Sequence, residues 1–117
     1  KYHAAASILS NQVIAVLDMG YSLLEDCGFT RAEAVRATGQ LVMRNIENVL
    51  EAGCDGALTG PIERNDIETV KKHIACMQND DSDDVSLYKM LGTKLVNIAE
   101  KKNPDKEYTQ MMELLRG

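Results

Sequence analysis

Residues 2–27 contain no proline, and the single glycine among them is Gly20. Apolar side chains recur there on nearly every side of a helix: Ala4, Ala5, Ala6, Ile8, Leu9, Val13, Ile14, Val16, Leu17, Met19, Leu23 and Leu24. A helix of that length spans about 39 Å. One that is apolar on most faces has to be covered by several neighbours or by a second subunit. This segment predicts an all-α protein with a long, largely buried first helix, stopped by Gly28.

The rest of the chain repeats the helical period. Thr30 and Glu33 have the spacing of a capping box, which starts a second helix with a stripe of Val35, Val42, Ile46, Val49 and Leu50. Gly53 ends it, and Gly39 inside it costs roughly 1 kcal/mol relative to alanine, which a close backbone contact would explain. Cys54 to Asn65 reads as the one long irregular segment, with Gly56, Gly60 and Pro61. Asn65 or Asp66 caps a third helix with a stripe of Ile67, Val70, Ile74 and Met77. Asn79 to Asp84, rich in aspartate, reads as a solvated loop. A fourth helix follows over about Val85 to Lys102, with Tyr88, Leu91, Leu95 and Ile98 at helical spacing and Lys101 and Lys102 suiting its C-terminal dipole. Pro104 opens a last helix holding Tyr108, Met111, Met112 and Leu115. No segment alternates with period two. The expected architecture is a bundle of about five helices.

Composition narrows the function classes. The 117 residues carry a formal net charge of −5, which argues against nucleic acid or an anionic membrane as partner. No uninterrupted apolar run approaches the ~20 residues of a bilayer span, and the first residues lack the ordered regions of a secretory signal. Cys27, Cys54 and Cys76 contain no CxxC pair, so free thiols packed in a core and a reducing, cytoplasmic setting are expected. His73 and Cys76 lie one helical turn apart with no second pair to complete a zinc site, so no metal is expected.

Two groups of residues are candidates for chemistry. His3, Ser7 and Asn11 follow i, i+4, i+8 and share one face of the first helix, roughly continued by Asp18, Ser22 and Glu25. Such a ridge is either a solvated stripe or the lining of a cleft. In a cleft, His3 exchanges a proton and Asn11 orients a substrate. The second group is the loop from Thr59 to Asp66. There Gly60 and Pro61 set a tight path, and Arg64 is a forked donor for carboxylate or phosphate, or else the partner of a neighbouring acid. His73, beside an apolar stripe, reads as structural. Neither a GxGxxG fingerprint nor a Walker loop, HExxH or nucleophile elbow is present.

Two stretches carry a resemblance: Tyr2-His3-Ala4-Ala5-Ala6 with Ser10-Asn11, and Ala57-Leu58-Thr59-Gly60-Pro61-Ile62-Glu63-Arg64-Asn65-Asp66 with Thr69-Val70 and His73. Together they resemble the C-terminal helical domain, a domain of unknown function, of a family of Rossmann-like oxidoreductases. The plan is similar to that of the 6-phosphogluconate dehydrogenase, ketopantoate reductase, pyrroline-5-carboxylate reductase and hydroxyisobutyrate dehydrogenase group. The resemblance implies that residues 1–117 form a substrate and dimerisation domain, with an N-terminal Rossmann domain absent from this chain holding NADP or NAD. It implies His3 and Asn11 as catalytic residues and Ser7, Thr59, Gly60, Pro61, Arg64 and Asp66 as substrate-binding ones. The family often has glycine where this chain has Asn65. Hydroxyisobutyrate-type enzymes use a lysine and an asparagine one turn apart on the corresponding helix. This chain has no lysine there after Lys1, leaving three alternatives: His3 substitutes, the reaction differs, or the domain binds without catalysing.

The expectation is thus a helical domain of an NAD(P)-dependent oxidoreductase that closes the cleft over a small-molecule substrate and forms a homodimer, the isolated domain being inactive. The alternative is a non-catalytic dimerisation or ligand-sensing module. A stand-alone helical adaptor is the third reading.

Overall fold

A computed structural model describes residues 1–78 and 83–117, whose regular elements are all helices, with no strand among them. We number five helices: α1 (Tyr2–Asp26), which includes a π-helical turn at Ile8–Gln12; α2 (Arg31–Ala57); α3 (Ile67–Met77); α4 (Asp84–Lys102); and α5 (Thr109–Arg116). The all-α architecture is the one the sequence predicts. Two compact units are distinguished, Lys1–Arg44 and Asn45–Gly117.

The first unit is a helical hairpin defined by its termini. At the end of α1 the Phe29 amide donates to Leu24 O (3.2 Å) and the Gly28 amide to Glu25 O (2.9 Å), with Gly28 at φ 103°. This is a Schellman stop, and the positive φ is why glycine stands there. The capping box at the start of α2 is reciprocal. The Glu33 amide donates to Thr30 Oγ1 at 3.1 Å, and the Thr30 amide donates to Glu33 Oε1 at 3.0 Å. Arg31 ties the two helices by donating to Asp18 (2.9 Å), Glu25 (2.9 Å) and Ser22 (3.2 Å) and by resting 5.6 Å from the Tyr21 ring centroid.

The expected burial of α1 is not found. No residue of α1 is buried, and Ala34 is the one buried residue of the first unit. Tyr2, Ile8, Leu9, Val13, Ile14, Val16, Phe29, Val35, Leu41 and Met43 are all exposed. The apolar pattern predicts cover, and the described residues do not supply it. In length and composition Tyr2–Asp26 also suffices to cross a membrane. That departs from the sequence reading, which looked for an unbroken apolar run. Nor is Gly39 explained by backbone approach, since a Cβ there meets open space.

The second unit contains the core. Ile62, Val70, Ile74, Val96, Ala99, Tyr108, Met111 and Leu115 form one buried cluster, with Leu58, Ile67, Val85, Tyr88, Leu95, Met112 and Leu114 packed against it. The α3 stripe is as expected, with Val70, Ile74 and Met77 buried. On α4 the buried line is Gly92, Val96 and Ala99, while Leu91, Leu95 and Ile98 are half-buried flanks. Gly92 is where α5 comes closest: a Cβ there would lie 2.8 Å from Leu115 Cδ2 and 3.4 Å from Ile62 Cδ1. Of the α2 stripe, Val42 and Val49 are half-buried, but Val35, Ile46 and Leu50 are exposed.

Three local expectations change. Gly53 (φ 75°) does break α2, but Cys54–Ala57 complete one more helical turn before the loop. Pro104 sits in a turn, and α5 starts only at Thr109, with Tyr108 as its N-cap residue. All three cysteines are free, as expected, but exposed rather than packed. Asp80 and Asp81 of the expected acidic loop lie outside the described residues.

Asp66 caps α3 by accepting from the Thr69 amide (3.1 Å) and the Thr69 hydroxyl (2.7 Å). The bond from the Thr69 side chain, then that from its amide, holds the Asp66 carboxyl below its usual value of 3.8; Arg64 and Lys72 add to this electrostatically. Bonds from the Thr30 amide and then its side chain hold Glu33 below 4.5 in the same way. A carboxyl depressed in the folded state adds stability above its unfolded value and loses it as pH falls through the folded one. The Thr69 amide proton shift is therefore expected to titrate with a midpoint below 3.8, and Asp66→Asn to abolish that titration. A midpoint at or above 3.8 contradicts the cap.

Candidate functional site

The loop between α2 and α3 is built as a clamped structure. Gly60 (φ 101°) turns the chain, after which the Arg64 amide donates to Gly60 O (3.1 Å), the Asn65 amide to Ile62 O (3.1 Å) and the Asp66 amide to Pro61 O (2.8 Å). Ile62 is driven into the core and is 6% exposed. Asn65 takes a left-handed conformation (φ 59°), which asparagine tolerates better than most residues.

The segment from Lys102 to Tyr108 grips this loop. Lys102 Nζ donates to Leu58 O at 2.7 Å, the Tyr108 hydroxyl to Glu63 O at 2.6 Å, and Asn65 Nδ2 to Glu107 O at 2.8 Å. Asn103 Nδ2 donates to Glu63 Oε1 (3.0 Å) and to the Tyr108 hydroxyl oxygen (3.1 Å), and Lys106 lies 4.0 Å from the same carboxylate. Every one of these bonds joins residues more than a helix apart, except that between Asn103 and Tyr108. Sequence reading gave Lys102 only a dipole role and missed Asn103 altogether. An asparagine before a proline carries no signal that it will meet Glu63.

Tyr108→Phe removes a short bond to a part-buried carbonyl and leaves the acceptor unpaired. The expected cost is about 1–3 kcal/mol, read as a lower urea midpoint with an unchanged slope. A midpoint equal to that of the parent would mean the grip contributes nothing.

The predicted substrate-binding residues of the loop therefore divide by role. Gly60 and Pro61 shape the turn, and Asp66 is occupied as the α3 cap. Arg64 is exposed, near enough to Asp66 to lower its carboxyl. Thr59 is exposed at the edge of a cavity of about 210 Å³ lined by Asn45, Val49, Cys54, Ala57, Leu58, Leu95 and Ile98 besides itself. A larger, shallower hollow of about 710 Å³ lies along α5 between Glu100 and Gly117 and mixes Lys106 and Arg116 with three glutamates.

On α1, His3 and Asn11 are exposed and Ser7 is half-buried. These three belong to the first unit and the Thr59–Asp66 loop to the second. Ser7 Oγ donates to Gln12 Oε1 at 3.4 Å. Asn11 stands within the π turn, and Ser10 bonds back to Ala6 O at 2.6 Å. Wider turns of this kind recur at functional sites, and no residue pattern in the segment signals one. The far end of the ridge is not free to line a cleft, because Asp18, Ser22 and Glu25 are held by Arg31.

His73 is structural in the sense expected. Its Nδ1 lies 2.9 Å from the Tyr88 hydroxyl, with the rings edge to face at 5.9 Å, so it ties α3 to α4. Burial pushes the Tyr88 phenol above its ordinary pKa, with a smaller contribution from Cys76. No group of three or more His, Cys, Asp or Glu residues fit to hold a metal occurs among the described residues.

The sequence matches no curated protein and no solved structure. One family does match, over most of the chain and including both stretches singled out above. From that match over residues 1–95, the chain belongs to the family described as Domain of unknown function (DUF2520).

Proposed function

We propose that this chain is the helical C-terminal domain of an NAD(P)-dependent oxidoreductase, which closes the substrate cleft of a preceding Rossmann domain and pairs two subunits. The observation that carries the reading is the exposed α1, which presents His3 and Asn11, with Ser7 between them, amid apolar side chains that lack cover. The described residues form no βαβ unit, and the reading assigns NADP or NAD to the preceding domain. The residues of this chain act on the substrate alone. His3 exchanges a proton with it, and Asn11 and Ser7 orient it by hydrogen bonds.

Calorimetry on full-length protein and on residues 1–117 tests this. NADP or NAD is expected to bind the former only. His3→Ala and Asn11→Ala in the full-length protein are expected to lower turnover on its small-molecule substrate by 10²-fold or more. Tight nucleotide binding by residues 1–117, or unchanged turnover in both variants, rejects the proposal. The second reading, a dimerisation or sensing module without turnover, is favoured by the same uncovered helix and predicts association with no effect of either variant on catalysis.

A further inference from the structure

We propose that the cavity beside Thr59 is a binding site for a compact, uncharged and mainly apolar small molecule carrying one hydrogen-bonding group. The inference deepens the reading of Thr59 as substrate-binding and rests on it only for the identity of the residue. The cavity's floor is half-buried and apolar: Val49 from α2, Ala57 and Leu58 from the segment after Gly53, and Leu95 and Ile98 from α4. Its rim is polar and exposed: the Asn45 amide, the Cys54 thiol and the Thr59 hydroxyl. An apolar floor with a few convergent polar groups is the usual composition of a small-ligand site.

Three features define the ligand class. Size comes first. The volume is about 210 Å³, whereas an apolar cavity of roughly 150 Å³ accommodates benzene. The site therefore holds a ring or branched chain with one substituent, and not a nucleotide. Charge comes second. Among the described residues no Lys, Arg, His, Asp or Glu lines the cavity, and Lys102, the cation of the adjoining grip, is spent on the Leu58 carbonyl. An anion placed there would lose its hydration without a partner. Rigidity comes third. The Lys102 bond fixes Leu58, and Gly60 and the Ile62 anchor fix the chain beyond Thr59, so the wall is formed before a ligand arrives.

Phenol, benzene and benzoate are the probes, titrated into the ¹⁵N-labelled chain and followed by amide shifts. Phenol is expected to saturate with a Kd of about 1 mM, as suits so few atoms, with shifts confined to residues 45–59 and 95–98. Benzoate is expected to bind at least tenfold more weakly. Thr59→Val is expected to weaken phenol several-fold and leave benzene unchanged. Ala57→Leu, which fills the floor, is expected to abolish both. Shifts spread over residues 1–44, equal binding of benzoate, or phenol binding indifferent to both variants overturns the proposal. Because no nucleotide or turnover enters this experiment, its failure leaves the oxidoreductase assignment standing, and the converse also holds.

Discussion

Met111→Ala is expected to destabilise the second unit by about 2–5 kcal/mol, the range for removing a fully enclosed long apolar side chain. Met111 has no exposed surface and is among the largest side chains wholly enclosed. It comes from α5 into a cluster that also takes Val70 and Ile74 from α3, Val96 and Ala99 from α4, and Ile62 from the loop. Truncation leaves a hole bordered by several elements, none of which can close it alone. Against a total of roughly 5–15 kcal/mol for a domain, the loss is severe. Urea unfolding should show a lower midpoint with the slope retained. Met111→Leu, close in volume, should cost less than about 1.5 kcal/mol. If alanine costs no more than leucine, the cluster is not packed as described. The variant also reaches the loop, since Tyr108, the N-cap of α5 three residues before Met111, supplies the bond to Glu63.

Legibility in the sequence followed the range of the forces involved. Local chemistry was readable: the Thr30–Glu33 box, the Gly28 stop, the Asp66 cap and the break at Gly53 each depend on a few neighbouring residues. The buried face of α3 was readable because its apolar residues stand apart from polar neighbours. On α4 the stripe of Tyr88, Leu91, Leu95 and Ile98 flanks the core, while two of the three innermost residues, Gly92 and Ala99, are small, and small residues mark close approach more than hydrophobicity. The grip on the loop was invisible, since it pairs Leu58, Glu63 and Asn65 with partners some forty residues away. Of the loop residues the sequence singles out, Gly60 and Pro61 shape the turn and Asp66 is the cap of α3. Thr59, with Ala57 and Leu58 before it, lines the adjoining cavity. Arg31 was missed as the partner of Asp18 and Glu25 because the ridge was read along one helix, while its partner stands at the start of the next.

The double variant Leu9→Lys, Ile14→Lys is expected to convert a dimer into a monomer, with the dissociation constant raised at least 100-fold. Leu9 is 78% exposed and Ile14 65% exposed. Together with Tyr2, Ile8, Val13 and Val16 they leave a run of apolar side chains along α1 in water, and a standard interface takes ~800 Å² from each partner. A free monomer rarely tolerates more than a few hundred Å² of such patch. Central anchors of an interface cost 2 kcal/mol or more when lost, and a lysine ammonium facing a second apolar helix adds desolvation. A bilayer is the competing cover, because α1 passes the length and hydropathy test for a span. Asp18 weighs against it: an aspartate in mid-helix costs about 2.5–3.5 kcal/mol on insertion scales, and insertion would also strip the Arg31 clamp of its setting in water. Sedimentation of the parent chain and the variant, with and without neutral phosphatidylcholine vesicles, separates these outcomes. A parent that stays monomeric at tens of micromolar overturns the dimer, and a monomer that pellets with the vesicles gives α1 to the membrane. The second unit carries neither substitution, so its urea midpoint should be the same in parent and variant. A change there would mean that the two lysines act through folding, not through association.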